Sequence, residues 1–276
     1  MACRAAAFFD LDKTIIAKSS TLAFGRPFYR GGLINRRAVV RSIYAQAKFA
    51  LSGIDERQME RMRKYLAAMA TGWNVEQIRA IVTETLHHIV EPLVYAEAVE
   101  RIQQHKAEGL DVVVVSSSGS EVVAPIATMV GADASIATTM VERDGRYTGE
   151  IEFYAYGPNK AAAITAMAAE KGYPLADCYA YSDSITDLPM LEIVGHPVVV
   201  NPDRALLREA VTRTWPVLMF SNGVPVRRRI EHLRTRRSDR LVGVALAMTA
   251  FALLSAVLRR LLPAGELALA NRWLRV

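Results

Sequence analysis

Two uninterrupted apolar runs constrain the fold of this chain most strongly, because each run stops abruptly at polar residues. Residues 5–9 are followed by Asp10-Leu11-Asp12, and residues 112–115 are followed by Ser116. Short apolar runs without alternation are typical of strands that are buried on both faces of a parallel sheet. Ligands of open α/β sheets bind beyond the carboxyl ends of the strands. The sequence therefore predicts an α/β fold with polar residues at the edge where ligands bind.

The stretch between these two strands is helical in pattern. We predict helices over residues 55–70, 74–90 and 94–108, with Asp55 and Asn74 as N-caps. About a hundred residues are too many for one ordinary crossover. We therefore predict a helical cap domain over residues 19–91, inserted into a catalytic core that comprises residues 1–18 and 92–222.

Helices and strands alternate in the second half of the core. The pattern predicts a helix over residues 121–130, a short strand over 135–138, a helix over 160–171 and a strand over 178–181. Asp144-Gly145 is a strong signal for a hairpin turn. The alternation is typical of a doubly wound parallel sheet.

The positive charge of the chain is concentrated near its C-terminus. Residues 227–240 contain seven arginines against two acids, and residues 241–276 contain four arginines against one. Subtracting these eight charges from the net charge of +6 leaves residues 1–226 at −2. The basic balance of the whole chain therefore does not indicate a nucleic-acid partner for its main body. The two cysteines give neither a disulfide framework nor a metal-binding spacing, which favours a reducing compartment.

A basic segment precedes a long apolar one. Residues 241–258 carry no charge, and a helix of this length spans about 27 Å, close to the thickness of a bilayer core. We interpret residues 223–240 as a basic linker, 241–260 as a hydrophobic membrane helix and 261–276 as a tail; a buried core helix or an amphipathic docking helix is the alternative. The arginines suit an anionic cytoplasmic surface, so we expect a cytoplasmic catalytic body anchored to the inner face of the cell membrane.

Four separated pieces of sequence carry residues suited to phosphate chemistry. They are Asp10-Leu11-Asp12-Lys13-Thr14, Ser116, Lys160, and Asp183-Ser184-Ile185-Thr186-Asp187. In this order they resemble the four motifs of the haloacid dehalogenase superfamily, and the phosphoserine-phosphatase-like branch (subfamily IB) in particular, over roughly residues 5–205. The resemblance implies a Rossmann-like core with a helical cap, Mg²⁺ as cofactor and an aspartyl-phosphate intermediate.

Each residue of these motifs has a role that phosphoryl transfer needs. Asp10 suits the nucleophile, and Asp12 suits a general acid and base. Ser116 can donate a hydrogen bond to a phosphoryl oxygen, and Lys160 supplies a fixed positive charge. The resemblance implies Mg²⁺ ligands at Asp10, Asp12 (through its main-chain carbonyl) and Asp183. Asp187 would support the metal or Lys160, or would cap a helix. Thr14 and Ser182 are interpreted as turn and backbone-bonding residues and not as reactants.

The substrate is less well indicated than the reaction. Phosphoserine phosphatases carry a glutamate shortly after the first motif, whereas this chain has Lys18-Ser19-Ser20. We expect a phosphorylated small metabolite or a lipid phosphate. The alternative is a phospho-receiver-like protein or a catalytically inactive, membrane-anchored binding module. Receiver domains lack a large insertion after the first strand, and Asp12 beside the nucleophile favours turnover.

Overall fold

The computed structural model describes residues 5–34, 64 and 67–221. All of them belong to the first of the two units into which the chain divides, residues 1–224 and 225–276. The predicted basic linker, membrane helix and tail (residues 223–276) lie outside the described residues, as does most of the helix predicted over 55–70. Among the helices that the structure describes, none has the length and apolar character needed to cross a membrane.

Seven strands form one sheet in the order β4-β3-β2-β1-β5-β6-β7. All neighbouring pairs are parallel except β3 and β4, which are antiparallel. The α/β class and the parallel-dominated sheet are confirmed. The strands are β1 Ala6–Asp10, β2 Asp111–Gly119, β3 Ala134–Arg143, β4 Arg146–Phe153, β5 Tyr179–Ser182, β6 His196–Val200 and β7 Val217–Leu218.

The α-helices cover both faces of the sheet. Side chains of β1 alternate between two apolar clusters, with Ala7 and Phe9 on one side and Ala6 and Phe8 on the other. Helices α1 to α4 contribute to the first cluster, and α5 to α7 contribute to the second. The helices are α1 Ser20–Arg30, α2 Val75–Ile89, α3 Ala96–Ala107, α4 Ser120–Val130, α5 Pro158–Lys171, α6 Leu188–Glu192 and α7 Arg204–Thr212.

Local sequence explains where these elements begin and turn. Asn74 starts α2, because its side chain accepts a hydrogen bond from the main-chain nitrogen of Gln77 at 2.8 Å, as the N-cap prediction requires. The predicted hairpin is also confirmed: Asp144 and Gly145 join β3 to β4 with positive φ angles of 52° and 72°. Positive φ at both central residues is the requirement of a type I′ turn.

Two strands are longer than the sequence predicts. The strand β2 was expected to stop before Ser116 but continues to Gly119, and β3 extends well beyond residue 138, to Arg143. The pairing register between β2 and β3 shifts between Ser116 and Gly119, so β2 contains an irregularity there. The polar sequence of this stretch does not show that the strand continues. The longer β3 follows from its pairing with β4. The division into core and cap domains stays a prediction, because residues 35–63 are not described.

Candidate active site

The carboxyl ends of the central strands bring the predicted acids to one edge of the sheet. Asp10 is the last residue of β1 and pairs in register with Val115, which places Ser116 directly beyond it. On the other side, Phe9 pairs with Tyr181, two residues before Asp183. Asp10, Ser116 and Asp183 are all buried. The sheet topology therefore brings together three of the four motifs.

Lys160 completes the group from the first turn of α5. Its Nζ donates hydrogen bonds to Oδ1 of Asp10 at 2.7 Å and to Oδ2 of Asp187 at 2.8 Å. All three side chains are less than a tenth exposed. The cluster is therefore a buried cation held between two carboxylates, one from the first motif and one from the fourth.

Asp187 supports Lys160 and does not cap a helix with its side chain. It stands at the N-cap position of α6, yet its carboxylate makes no capping hydrogen bond. Instead its Oδ2 accepts from Lys160 and from the hydroxyl of Ser182 at 2.7 Å. Ser182 also bonds to the backbone as predicted, because its Oγ accepts a hydrogen bond from the main-chain nitrogen of Ser184 at 3.3 Å. The prediction was incomplete only in that the Ser182 side chain belongs to the cluster as well.

Burial dominates the electrostatics of the cluster. Burial raises the pKa of the Asp10 carboxyl above its ordinary value, because it disfavours the charged form. Lys160 opposes this shift, and the nearby charge of Asp187 adds to it. Burial alone would lower the pKa of Lys160, but the two adjoining carboxylates raise it, so the lysine stays charged. The site thus holds more acidic groups than buried positive charges.

Asp183 has a weaker cationic partner than Asp10 has. Burial raises the pKa of Asp183 to about 6, although Lys13 opposes the shift. Nζ of Lys13 lies 3.6 Å from Oδ2 of Asp183, and its side chain is 66% exposed. No role was predicted for Lys13 from the sequence. Its position inside the first motif, between Asp12 and Thr14, is the one feature that could have indicated a place at the site. Lys13 has a φ of 61°, which turns the chain sharply after Asp12.

Asp12 points toward the start of α1. Its Oδ1 accepts a hydrogen bond from the main-chain nitrogen of Ser20 at 2.8 Å. Burial raises the pKa of Asp12, and hydrogen bonds from Ser20 and Ser19 oppose the shift. The structure therefore places Asp12 at the junction between the strand edge and the first helix, with its carboxylate held by the helix terminus.

Ser116 lies in a serine-rich stretch that sequence analysis used only in part. Its Oγ accepts a hydrogen bond from the main-chain nitrogen of Ser118 at 3.2 Å. The hydroxyl of Ser118 in turn lies 2.7 Å from that of Ser20. Neither Ser20 nor Ser118 was predicted to belong to the site, because a contact between residues 98 positions apart leaves no local signal.

The donor set suits Mg²⁺. Asp10 and Asp183 offer buried carboxylate oxygens, and Asp12 offers a main-chain carbonyl at the same strand end. Mg²⁺ usually binds one or two carboxylates together with waters and phosphate oxygens. Within the described residues no three His, Cys, Asp or Glu side chains form a metal-binding group. The Asp12 carboxylate accepts a hydrogen bond from Ser20, which leaves its main-chain carbonyl as the predicted ligand atom. The Asp187 carboxylate contacts Lys160, the second of the two supporting roles predicted for it.

A family model and several known proteins are similar to this chain over most of its length. The family model of haloacid dehalogenase-like hydrolases matches residues 7–192. A Mycobacterium tuberculosis protein named "Probable phosphatase Rv3661" is 59% identical over 259 residues, which cover 93% of this chain and 90% of that protein. "Phosphoserine phosphatase SerB1" of the same species is 34% identical over 218 residues, 78% of this chain and 71% of that protein. A Bordetella pertussis protein of unknown function has a similar structure, with a TM-score of 0.70 and 29% identity over 79% of this chain and 99% of its own.

Proposed function

The chain belongs to the haloacid dehalogenase-like hydrolase family, and we propose that it is a Mg²⁺-dependent phosphomonoesterase that works through an aspartyl-phosphate on Asp10. The observation that carries the proposal is the buried ammonium of Lys160, 2.7 Å from Asp10 and 2.8 Å from Asp187. A nucleophilic carboxylate and a phosphate dianion repel each other. A fixed buried cation beside the nucleophile offsets that repulsion where charge develops.

Each proposed role follows from position. A carboxylate oxygen of Asp10 attacks phosphorus, and the bond from phosphorus to the ester oxygen breaks. The hydroxyl of Ser116, beside the end of β1, donates a hydrogen bond to a phosphoryl oxygen. Asp12 gives a proton to the leaving oxygen and later takes one from the water that hydrolyses the aspartyl-phosphate, a contribution worth about 10²–10⁴-fold.

Mg²⁺ would be held by Asp10, Asp183 and the main-chain carbonyl of Asp12. The ion would neutralise phosphoryl oxygens next to the acidic cluster. Asp187 acts through Lys160, since its carboxylate fixes the position of the ammonium. Ser182 holds Asp187 in turn.

The experiment that tests the reaction class is phosphate release by the full chain in mild detergent. The panel comprises phosphoserine, nucleotides, sugar phosphates and short-chain lipid phosphates, each with Mg²⁺ and with chelator, and Asp10→Asn is the control. Release that requires Mg²⁺ and is lost in Asp10→Asn supports the proposal. A folded protein without release from any ester would indicate a phospho-binding module. Full-rate hydrolysis by Asp12→Ala would overturn the role of Asp12 as general acid and base.

The substrate is proposed only as a class, either a phosphorylated small metabolite or a lipid phosphate. The first motif is followed by Lys18-Ser19-Ser20, which offers no acid for a substrate amine. A lipid phosphate depends on membrane association through residues 227–258. Carbonate extraction of the full chain from membranes tests that association: recovery in the supernatant would exclude an integral anchor.

A further inference from the structure

A buried hydroxyl pair links two distant parts of the chain at the site. Oγ of Ser20 lies 2.7 Å from Oγ of Ser118, although the residues are 98 positions apart. Ser20 is completely buried. A buried hydroxyl is stabilised by a hydrogen-bond partner, and Ser118 supplies one here.

Each serine also contacts a residue of the proposed mechanism. The main-chain nitrogen of Ser20 donates to Oδ1 of Asp12 at 2.8 Å. The main-chain nitrogen of Ser118 donates to Oγ of Ser116 at 3.2 Å. Asp12, Ser20, Ser118 and Ser116 therefore form a continuous hydrogen-bonded chain, which we call the serine bridge.

The two sides of the serine bridge differ in how firmly they are fixed. On the β2 side, the carbonyl oxygen of Ser117 accepts a hydrogen bond from the hydroxyl of Thr138 in β3 at 2.8 Å. On the other side, Ser20 is the first residue of α1, and the N-cap residue Ser19 makes no side-chain capping hydrogen bond. The hydroxyl pair therefore attaches the start of α1 to the end of β2, which β3 already holds.

We propose that Ser20 is a positioning residue that sets the Asp12 carboxylate relative to Ser116. The inference rests on the proposed function, in which Asp12 moves the proton of the leaving oxygen and Ser116 binds the phosphoryl group. These two groups act on opposite ends of the bond that breaks, so their relative position matters in the transition state. A misplacement of about 1 Å lowers a rate by as much as 10²-fold.

The test is a double-mutant cycle with Ser20→Ala, Ser118→Ala and both together, with p-nitrophenyl phosphate as substrate. Ser120→Ala is the matched control, because the Ser120 hydroxyl in the same stretch donates to Glu121 at 3.0 Å, outside the serine bridge. We expect each single variant to lower kcat about tenfold with KM changed less than twofold. The double variant should be no slower than the slower single variant, because the pair is already broken. Ser118→Thr, which keeps the hydroxyl, should restore most of kcat.

Amide hydrogen exchange separates this inference from the reaction itself. If the serine bridge forms, Ser118→Ala accelerates exchange in residues 11–19, and Ser20→Ala accelerates it in residues 116–120. Unchanged exchange in both segments, or unchanged kcat in the single variants of an active enzyme, would overturn the inference and leave the phosphatase proposal standing. A wild-type protein that releases no phosphate overturns the proposed function, and exchange alone then decides whether the bridge exists.

Discussion

The ammonium of Lys160 lies 2.7 Å from Oδ1 of Asp10 and connects α5 to the end of β1. Asp187 shares the same ammonium at 2.8 Å. Removing one partner of a buried ion pair leaves an uncompensated charge, which typically lowers the free energy of unfolding by about 3–5 kcal/mol. Lys160 therefore contributes to folding as well as to the proposed chemistry, and its substitution should affect both.

We expect Lys160→Met to lower kcat at least about 10²-fold, because the positive charge beside the attacking carboxylate is lost. It should also lower the free energy of unfolding. Adding Asp187→Asn should recover part of the lost free energy of unfolding without recovering activity, because it removes one of the two carboxylates that have lost their cation. Urea denaturation and phosphate release measure the two effects. Lys171→Met, at the exposed end of the same helix, is the control; equal losses in both lysine variants would contradict the assignment.

Asp183 gives a separate prediction about metal. Among the residues that the structure describes, the exposed Lys13 is the one cation paired with its carboxylate, at 3.6 Å. If Asp183 holds Mg²⁺, Asp183→Asn should raise the Mg²⁺ concentration for half-maximal activity at least about tenfold. Loss of a residue that only supports a metal ligand already lowers metal affinity about 10–100-fold. Asp177→Asn, an exposed acid just before the same strand, should leave the Mg²⁺ dependence unchanged. Full activity of Asp183→Asn at the wild-type Mg²⁺ concentration would remove Asp183 from the proposed ligand set.

Much of the site could be predicted because it depends on strand ends. The apolar runs before Asp10 and Ser116 place these residues at one edge of a parallel sheet, and no tertiary information is needed. Lys160 and Asp187 could be named, and contact with Lys160 was one of the roles predicted for Asp187, but the sequence could not choose among those roles. Which carboxylate receives the ammonium depends on how α5 packs against the sheet, and that packing is not encoded in local spacing.

The contact between Ser20 and Ser118 was missed because it joins distant segments of the chain. It has no periodic or motif-like signal, since a hydrogen bond between the start of α1 and the end of β2 is set by the fold as a whole. The continuation of β2 beyond Ser116 was missed for a related reason. Its polar residues resemble a loop, and pairing with β3 overrides that local preference.

Substitution of two glycines by alanine should change the free energy of unfolding in opposite directions. A Cβ atom at Gly195 would overlap the main-chain carbonyl oxygen of Ala176. A Cβ at Gly25 in α1 would have no described atom within 4 Å other than the adjacent backbone of its own helix. Gly195→Ala should therefore destabilise the protein by about 1–3 kcal/mol, as overpacking does. Gly25→Ala should stabilise it by about 0.5–1 kcal/mol, because glycine is unfavourable inside a helix. Thermal denaturation measures both shifts, and a stable Gly195→Ala protein would show that the Ala176 loop moves freely.

His105 makes stability depend on pH. It is buried against β1 and β5, and its Nε2 lies 2.7 Å from the hydroxyl of Tyr181. Burial is the main cause that lowers its pKa below the ordinary 6.5, although Glu108, 3.5 Å from Nδ1, opposes the shift. The folded protein therefore favours the neutral ring, and the unfolded chain takes up the proton first as pH falls.

From this sign we expect the contribution of His105 to be constant above about pH 6.5 and to be lost as pH falls from 6.5 through the folded-state pKa. The slope for one such group reaches at most about 1.4 kcal/mol per pH unit. His105→Gln cannot titrate, so the difference in unfolding free energy between wild type and this variant should change only below about pH 6.5. Urea denaturation from pH 5 to 8 measures it, with the exposed His88→Gln as control. A difference that stays constant across this range would show that His105 keeps the same protonation state in the folded and unfolded protein.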